Sequence, residues 1–215
     1  MLRLYVSLIL LGLSGTSAFA TVISTTVDGK AMPWITNAGL NSAFGYGIGD
    51  GLAPVIVDAS SGLSFAAGVN LVITRTGGFT TANDPAAPLV DGLGYTSLGP
   101  ANNNTGSTGE VFPSFHTSAD WNTSLMALMG TFADAAGSIV GTPFEIGNGR
   151  SIIIPVGATR LQLGLNDDLF ADNGGALNLT ISDGITGGGG NVPVPGTLAL
   201  LAPMLLMLRN KRRLS

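Results

Sequence analysis

Thr159-Arg160-Leu161-Gln162-Leu163-Gly164-Leu165 and Ala176-Leu177-Asn178-Leu179-Thr180-Ile181 are two runs in which apolar residues alternate with polar or small ones. Leu161, Leu163 and Leu165 fall on one face of an extended chain, and Leu177, Leu179 and Ile181 do the same, so both runs read as half-buried β-strands. Between them lies Asn166-Asp167-Asp168-Leu169-Phe170-Ala171-Asp172-Asn173-Gly174-Gly175, which reads as the end of a hairpin.

Working outward, Val69-Asn70-Leu71-Val72-Ile73-Thr74 alternates in the same way, with Val69, Leu71 and Ile73 on one face. Pro54-Val55-Ile56-Val57 and Ile152-Ile153-Ile154-Pro155-Val156 are shorter, more continuously apolar strands, the second with a proline suited to a sheet edge or a strand end. The segment 120–130 has helix-forming composition around Leu125 to Met129, but its all-β surroundings predict a strand. Turn residues punctuate these runs at Asp28-Gly29, Gly49-Asp50-Gly51, Ser60-Ser61-Gly62, Thr76-Gly77-Gly78 and Asp183-Gly184. The stretch from about Asn83 to Thr117 has no sustained period and predicts a long loop, either functional or loosely ordered. Many short strands with glycine-rich turns predict an all-β fold, an antiparallel β-sandwich or jelly roll.

The two ends follow different rules. Arg3, a short apolar run and Ala18-Phe19-Ala20 form the three parts of a secretory signal peptide, residues 1–20, with cleavage after Ala20 and a mature start at Thr21. The β-domain then spans 21–186 and a glycine-rich linker spans 187–191. In 192–215, Val192-Pro193-Val194-Pro195-Gly196-Thr197 precedes an apolar run, Leu198 to Leu208, and a basic end at Arg209, Lys211, Arg212 and Arg213. Basic residues beside an apolar membrane segment stay cytoplasmic, which places the body of the chain on the other side of that membrane.

The chain has 215 residues and no cysteine, which excludes disulfides, cysteine-ligated zinc and thiolate catalysis. All 13 acidic residues lie in the body, against four basic ones, Lys30, Arg75, Arg150 and Arg160, for a net body charge of −9. Such a surface repels phosphate backbones, so no nucleic-acid partner is expected. Excess carboxylate instead suits solubility or divalent-cation binding.

The segment Asn166 to Asn173 gathers three carboxylates, Asp167, Asp168 and Asp172, and two amides in eight residues. Like charges about 4 Å apart repel by about 1 kcal/mol even in water, and a bound cation would remove that cost. Calcium fits such donors, since it takes six to eight oxygen ligands from carboxylates, amides and backbone carbonyls. A solvated, Asx-rich turn explains the composition equally well. The EF-hand spacing is not met.

Two resemblances sharpen these readings. Pro193, Val194, Pro195, Thr197, Leu198, Leu200 and the terminal Arg212-Arg213 resemble the PEP-CTERM sorting signal of Gram-negative bacteria, with Val194 where that family usually has Glu. The resemblance implies an exosortase-type processing enzyme as partner, an inner-membrane-tethered precursor, and a final place at the cell surface or in the extracellular matrix.

The run 156–168, followed by Asp172-Asn173-Gly174-Gly175 and a closing strand, resembles the galactophilic PA-IL-like lectins. That family is a small calcium-binding β-sandwich. The resemblance implies calcium ligands at Asp167, at the carbonyl of Leu169 or Phe170, and at Asp172 and Asn173. It also implies a distant carbonyl at Thr81 or Ala82, following Gly77-Gly78-Phe79. Two departures are a shorter loop and Asp172 in place of an Asn. His116, in a region suited to sugar contact, has no secure family counterpart.

An enzyme is not expected. His116 is the only histidine, no Gly-x-Ser-x-Gly elbow stands in the body, and nothing in the sequence sets Glu110 or Glu145 at the separation glycoside hydrolysis requires. Gly45 to Gly51 reads as a flexible turn rather than a nucleotide loop. Trp34, Trp121, Tyr46 and Tyr95 are aromatics that either stack on sugars or fill the core, and the core is the commoner fate. The combined expectation is an exported calcium-binding β-sandwich with a polysaccharide or glycan ligand. The alternative is a non-lectin structural component of the extracellular matrix whose calcium only stabilises the fold.

Overall fold

The computed structural model describes residues 20–35, 51–98 and 123–184. Residues 1–19 of the expected signal peptide, Tyr46, Glu110, His116, Trp121, the expected linker and the expected sorting segment with Pro193, Val194, Pro195, Arg212 and Arg213 lie outside the described residues.

Among the described residues eight strands are formed: β1 (Val22–Asp28), β2 (Val55–Asp58), β3 (Asn70–Thr81), β4 (Leu128–Ala133), β5 (Phe144–Glu145), β6 (Gly149–Ile153), β7 (Arg160–Leu165) and β8 (Gly174–Ser182). One sheet has the order β1-β8-β3-β6 and the other β2-β7-β4-β5. Every strand pair is antiparallel. β1 pairs with β8, β2 with β7, β3 with β6 and β4 with β5, so the second half of the chain runs back along the first while successive pairs alternate between sheets. This is the winding of a jelly roll, and the fold is an all-β sandwich.

The core lies between the sheets. Leu161, Leu163 and Leu165 of β7 face Leu177, Leu179 and Ile181 of β8 and Leu71 and Ile73 of β3, all fully or almost fully buried in one cluster with Leu128 and Phe132 of β4. Period-two alternation therefore identified the inward faces correctly. Each such side chain contributes about 1.5–3 kcal/mol through burial. Pro155 falls just after β6, an edge strand, where its missing N–H breaks no ladder.

Three expectations change. β7 and β8 do not form a hairpin: they belong to different sheets, and the segment between them crosses from one to the other. Alternation reveals which face of a strand is buried but not its hydrogen-bonded neighbour, and here the inward leucines meet across the core. Thr76-Gly77-Gly78 is not a turn either. It lies inside β3, where the register against β8 shifts between Arg75 and Gly77. Gly78 has φ 80, and a Cβ there would stand 2.1 Å from the Ala176 carbonyl oxygen, so the bulge needs glycine. In the described part of the 120–130 segment, from Thr123, the strand begins at Leu128, after a turn in which Met126 has φ 63.

Residues 83–98 pack against the end of β3. Val90 exchanges backbone hydrogen bonds with Thr80, its N–H donating at 2.8 Å and its carbonyl accepting at 2.9 Å. The hydroxyl of buried Tyr95 donates to the Pro88 carbonyl at 2.6 Å and accepts from the Ala82 N–H at 3.2 Å. Among the described residues no helix is long and apolar enough to cross a membrane.

Candidate functional site

The β1–β2, β3–β4 and β7–β8 connections meet at one end of the sandwich, and the acid-rich segment after β7 is the meeting point. Asn166, fully buried, begins it. Its Nδ2 donates to the Ser124 carbonyl at 3.1 Å, its N–H donates to Ala127 at 3.0 Å, and its carbonyl accepts from Met126 at 2.7 Å. The side chain of Phe170 is also fully buried, which anchors the middle of the segment. Lys30 donates through Nζ to the Ala171 carbonyl at 2.8 Å, and the Asp84 N–H donates to the Asp172 carbonyl at 2.8 Å.

Within this frame Asp167 and Asn173 occupy the two ends. Asp167 is 3 % exposed, and its Oδ1 accepts from the N–H groups of Asp168 at 2.7 Å and Leu169 at 3.3 Å. Its Oδ2 is buried with no hydrogen-bond partner. Asn173 is 2 % exposed, and its Nδ2 donates to the Gly29 carbonyl at 3.0 Å while its Oδ1 is likewise buried without a partner. Thr80, paired across the ladder with Gly175, leaves a third buried oxygen, Oγ1, unpartnered. Buried acceptors are normally satisfied, and each orphan costs about 1–3 kcal/mol.

Burial pushes the Asp167 carboxyl up to about 8. The adjacent Asn173 side chain and the Asp168 and Leu169 N–H groups pull it back, and the neighbouring Asp168 carboxyl pushes it further up. The Asn173 amide sits beside this carboxyl and favours its charged form, while the amide's one well-formed hydrogen bond goes to the Gly29 carbonyl and Asp167 Oδ2 is left without a partner. The site disfavours an uncompensated negative charge and holds buried oxygens with no hydrogen-bond partner, a setting that suits a hard cation.

The other residues implied for calcium are placed as follows. Asp168 is buried beside Asp167, Phe170 lends its carbonyl to the Asn173 N–H at 3.2 Å, and Asp172 is half-buried and bound through its carbonyl to Asp84. Ala82 stands at the end of β3, held by Tyr95. Among the described residues no three His, Cys, Asp or Glu side chains gather closely enough to hold a metal by themselves. A cation here would take amide and carbonyl oxygens as well.

Sequence reading missed Asp84. A Cβ on Gly174 would lie 2.8 Å from Asp84 Oδ2, so this carboxylate rests directly against the residue following Asn173. Only the pairing of β3 with β8 brings these positions together, across 90 residues of chain. Trp34 and Tyr95 are buried, as core aromatics are, and neither presents a ring to solvent for stacking. Glu145 is half-buried, and burial raises its carboxyl from its ordinary value.

No family model and no curated protein matches the chain. Among solved structures it is similar to the EclA N-terminal domain, a PllA-like lectin, with a TM-score of 0.38 and 15 % identity over 74 % of this chain and 95 % of that one.

Proposed function

We propose that this chain is an exported, calcium-binding β-sandwich that binds carbohydrate at the cell surface or in the extracellular matrix. The observation that carries the cation is the pair of buried, unpartnered acceptors on Asp167 and Asn173, set at the two ends of one short segment. Asp167 and Asn173 would hold the ion, with Asp168, Asp172, the Phe170 and Ala82 carbonyls, and Asp84 as neighbouring oxygen sources. Bound there, calcium would supply a positive charge to the unpartnered oxygens of Asp167 and Asn173. It also ties the crossing between the two sheets to the end of β3.

Carbohydrate as ligand rests on the likeness of residues 156–175 to the galactophilic lectins. Export and sorting rest on the layout of residues 1–20 and 192–215, with an exosortase-type enzyme as processing partner. A second reading, structural calcium in a matrix protein, is favoured by burial: Asp167 and Asn173 are so enclosed that an ion between them would have few faces left for a sugar hydroxyl.

Binding of the exported protein to a glycan array and to exopolysaccharide, with and without chelator, separates the two. Chelator-sensitive retention on a defined sugar supports the lectin. No retention at any calcium concentration, alongside a calcium-dependent melting temperature, retires it in favour of the structural role.

A further inference from the structure

Asp183, at the end of β8, is 4 % exposed. Its Oδ1 accepts from the backbone N–H of Thr21 at 2.9 Å and its Oδ2 from that of Ser64 at 3.2 Å. Its own N–H donates to the Thr21 carbonyl at 3.3 Å. The pair closes the β1–β8 ladder one step beyond Val22↔Ser182. The two N–H groups satisfy the oxygens of this buried carboxylate but not its charge, and buried carboxylates normally have a cationic partner. Thr21 is also where the signal-peptide pattern puts the first residue of the mature chain.

We propose that removal of residues 1–20 creates the missing cation: the new α-ammonium of Thr21 forms an ion pair with Asp183. Hydrolysis of the Ala20–Thr21 peptide bond consumes one water and leaves a carboxylate on Ala20 and an amine on Thr21. That amine takes a proton from solvent below its ordinary pKa of about 7.7–8.0. The nitrogen is already 2.9 Å from Oδ1, so no rearrangement is needed for the donor to become charged as well, which turns a hydrogen bond to a carboxylate into an ion pair. Thr21 is half-exposed, which leaves water for the remaining ammonium protons.

The place matters mechanically. β1 is an edge strand whose burial pattern contains one fully buried residue, Val27, so its first residues depend on their ladder with β8. The ion pair pins the end that would fray first. Asp183 also stands just before the linker to the sorting segment, so the processed amino terminus fastens the point from which the tail departs. The inference depends on cleavage after Ala20 and is independent of calcium.

Amino-terminal sequencing of the exported protein comes first. A start at Thr21 is expected. A start elsewhere overturns the pairing while leaving export intact, and an uncleaved chain overturns both. Three chains running on to Ser215 are then compared in mild detergent: one beginning at Thr21, one at Ala20, and one at Thr21 with its α-amine acetylated. The free Thr21 form should melt about 3–6 °C above the other two, and the gap should vanish when Asp183→Asn is introduced into each. Equal melting of all three overturns the proposal. Should Asp183→Asn fail to fold, the α-amine of the unsubstituted Thr21 chain decides. Titrated by NMR, its pKa should lie about one unit above the ordinary value, and an ordinary value overturns the ion pair.

Discussion

Two Asp–Asn pairs sit at the same end of the sandwich and differ in what their oxygens find. In the β3–β4 and β5–β6 connections, Asp91 Oδ2 accepts from Asn148 Nδ2 at 2.9 Å, Asp91 Oδ1 accepts from the Leu93 N–H at 2.9 Å, and Asn148 Oδ1 accepts from the Gly92 N–H at 3.1 Å. Every polar side-chain atom has a partner, and the Asn148 and Leu93 donors hold the Asp91 carboxyl below its ordinary value. Asp167 and Asn173 use the same residue types, yet each keeps one buried oxygen with no donor, and burial drives the Asp167 carboxyl up. The first pair is a latch complete in itself. The second leaves two buried oxygens unpartnered, the opening the proposed calcium would fill.

The contrast breaks most visibly with metal. Calcium at about 100 times its Kd should stabilise the native state by about 2.7 kcal/mol, raising the melting temperature by about 5–10 °C. Asp167→Asn should abolish that rise, because it removes the charge the ion neutralises. Asp91→Asn should leave it in place. Differential scanning calorimetry in calcium and in chelator reads both.

Acidity should separate the pairs next. The folded pKa of Asp167 lies above its unfolded value near 3.8, so between about pH 4 and pH 8 the native state holds more protons than the unfolded one. The metal-free domain therefore loses stability as pH rises through that window, by on the order of a few kcal/mol. Asp91 has the opposite sign. Its stabilisation is present above the unfolded pKa and is lost as pH falls through its lowered folded pKa. Urea melts in chelator across pH 3–8 should show the rising-pH loss disappear in Asp167→Asn, whereas Asp91→Asn should remove part of the acid loss only.

Much of this architecture was legible in the sequence, and the exceptions have physical causes. Leu161, Leu163, Leu165, Leu177, Leu179 and Ile181 announced their inward faces because a strand's side chains alternate. That β7 and β8 sit in different sheets was not legible, because alternation is local and pairing is not. β1 went unrecognised because Val22-Ile23-Ser24-Thr25-Thr26-Val27-Asp28 lacks clean alternation and buries only Val27 fully. Thr76-Gly77-Gly78 looked like a turn because glycines serve turns and bulges alike. At the site, the density of Asp and Asn pointed to residues 167–173, while the lack of a partner for Asp167 Oδ2 and Asn173 Oδ1 depends on where Gly29, Asp168 and Leu169 point their groups. Asp84 was invisible for the same reason.

Asp84 gives the smallest effect. Asp84→Asn removes a carboxylate that rests on the exposed side of the site, and should weaken calcium about three- to tenfold, on the order of 1 kcal/mol, with the metal-free melting temperature unchanged. Terbium luminescence, displaced by calcium, measures that shift.

The most direct test of the central claim is calorimetric titration of calcium into the purified protein after chelator treatment, at pH 7.5. One saturable site per chain is predicted for the native sequence and none for the Asp167→Asn, Asn173→Ala double variant, which still folds because the leucine core is untouched. No binding heat and an unchanged melting curve for the native protein in saturating calcium would contradict the account.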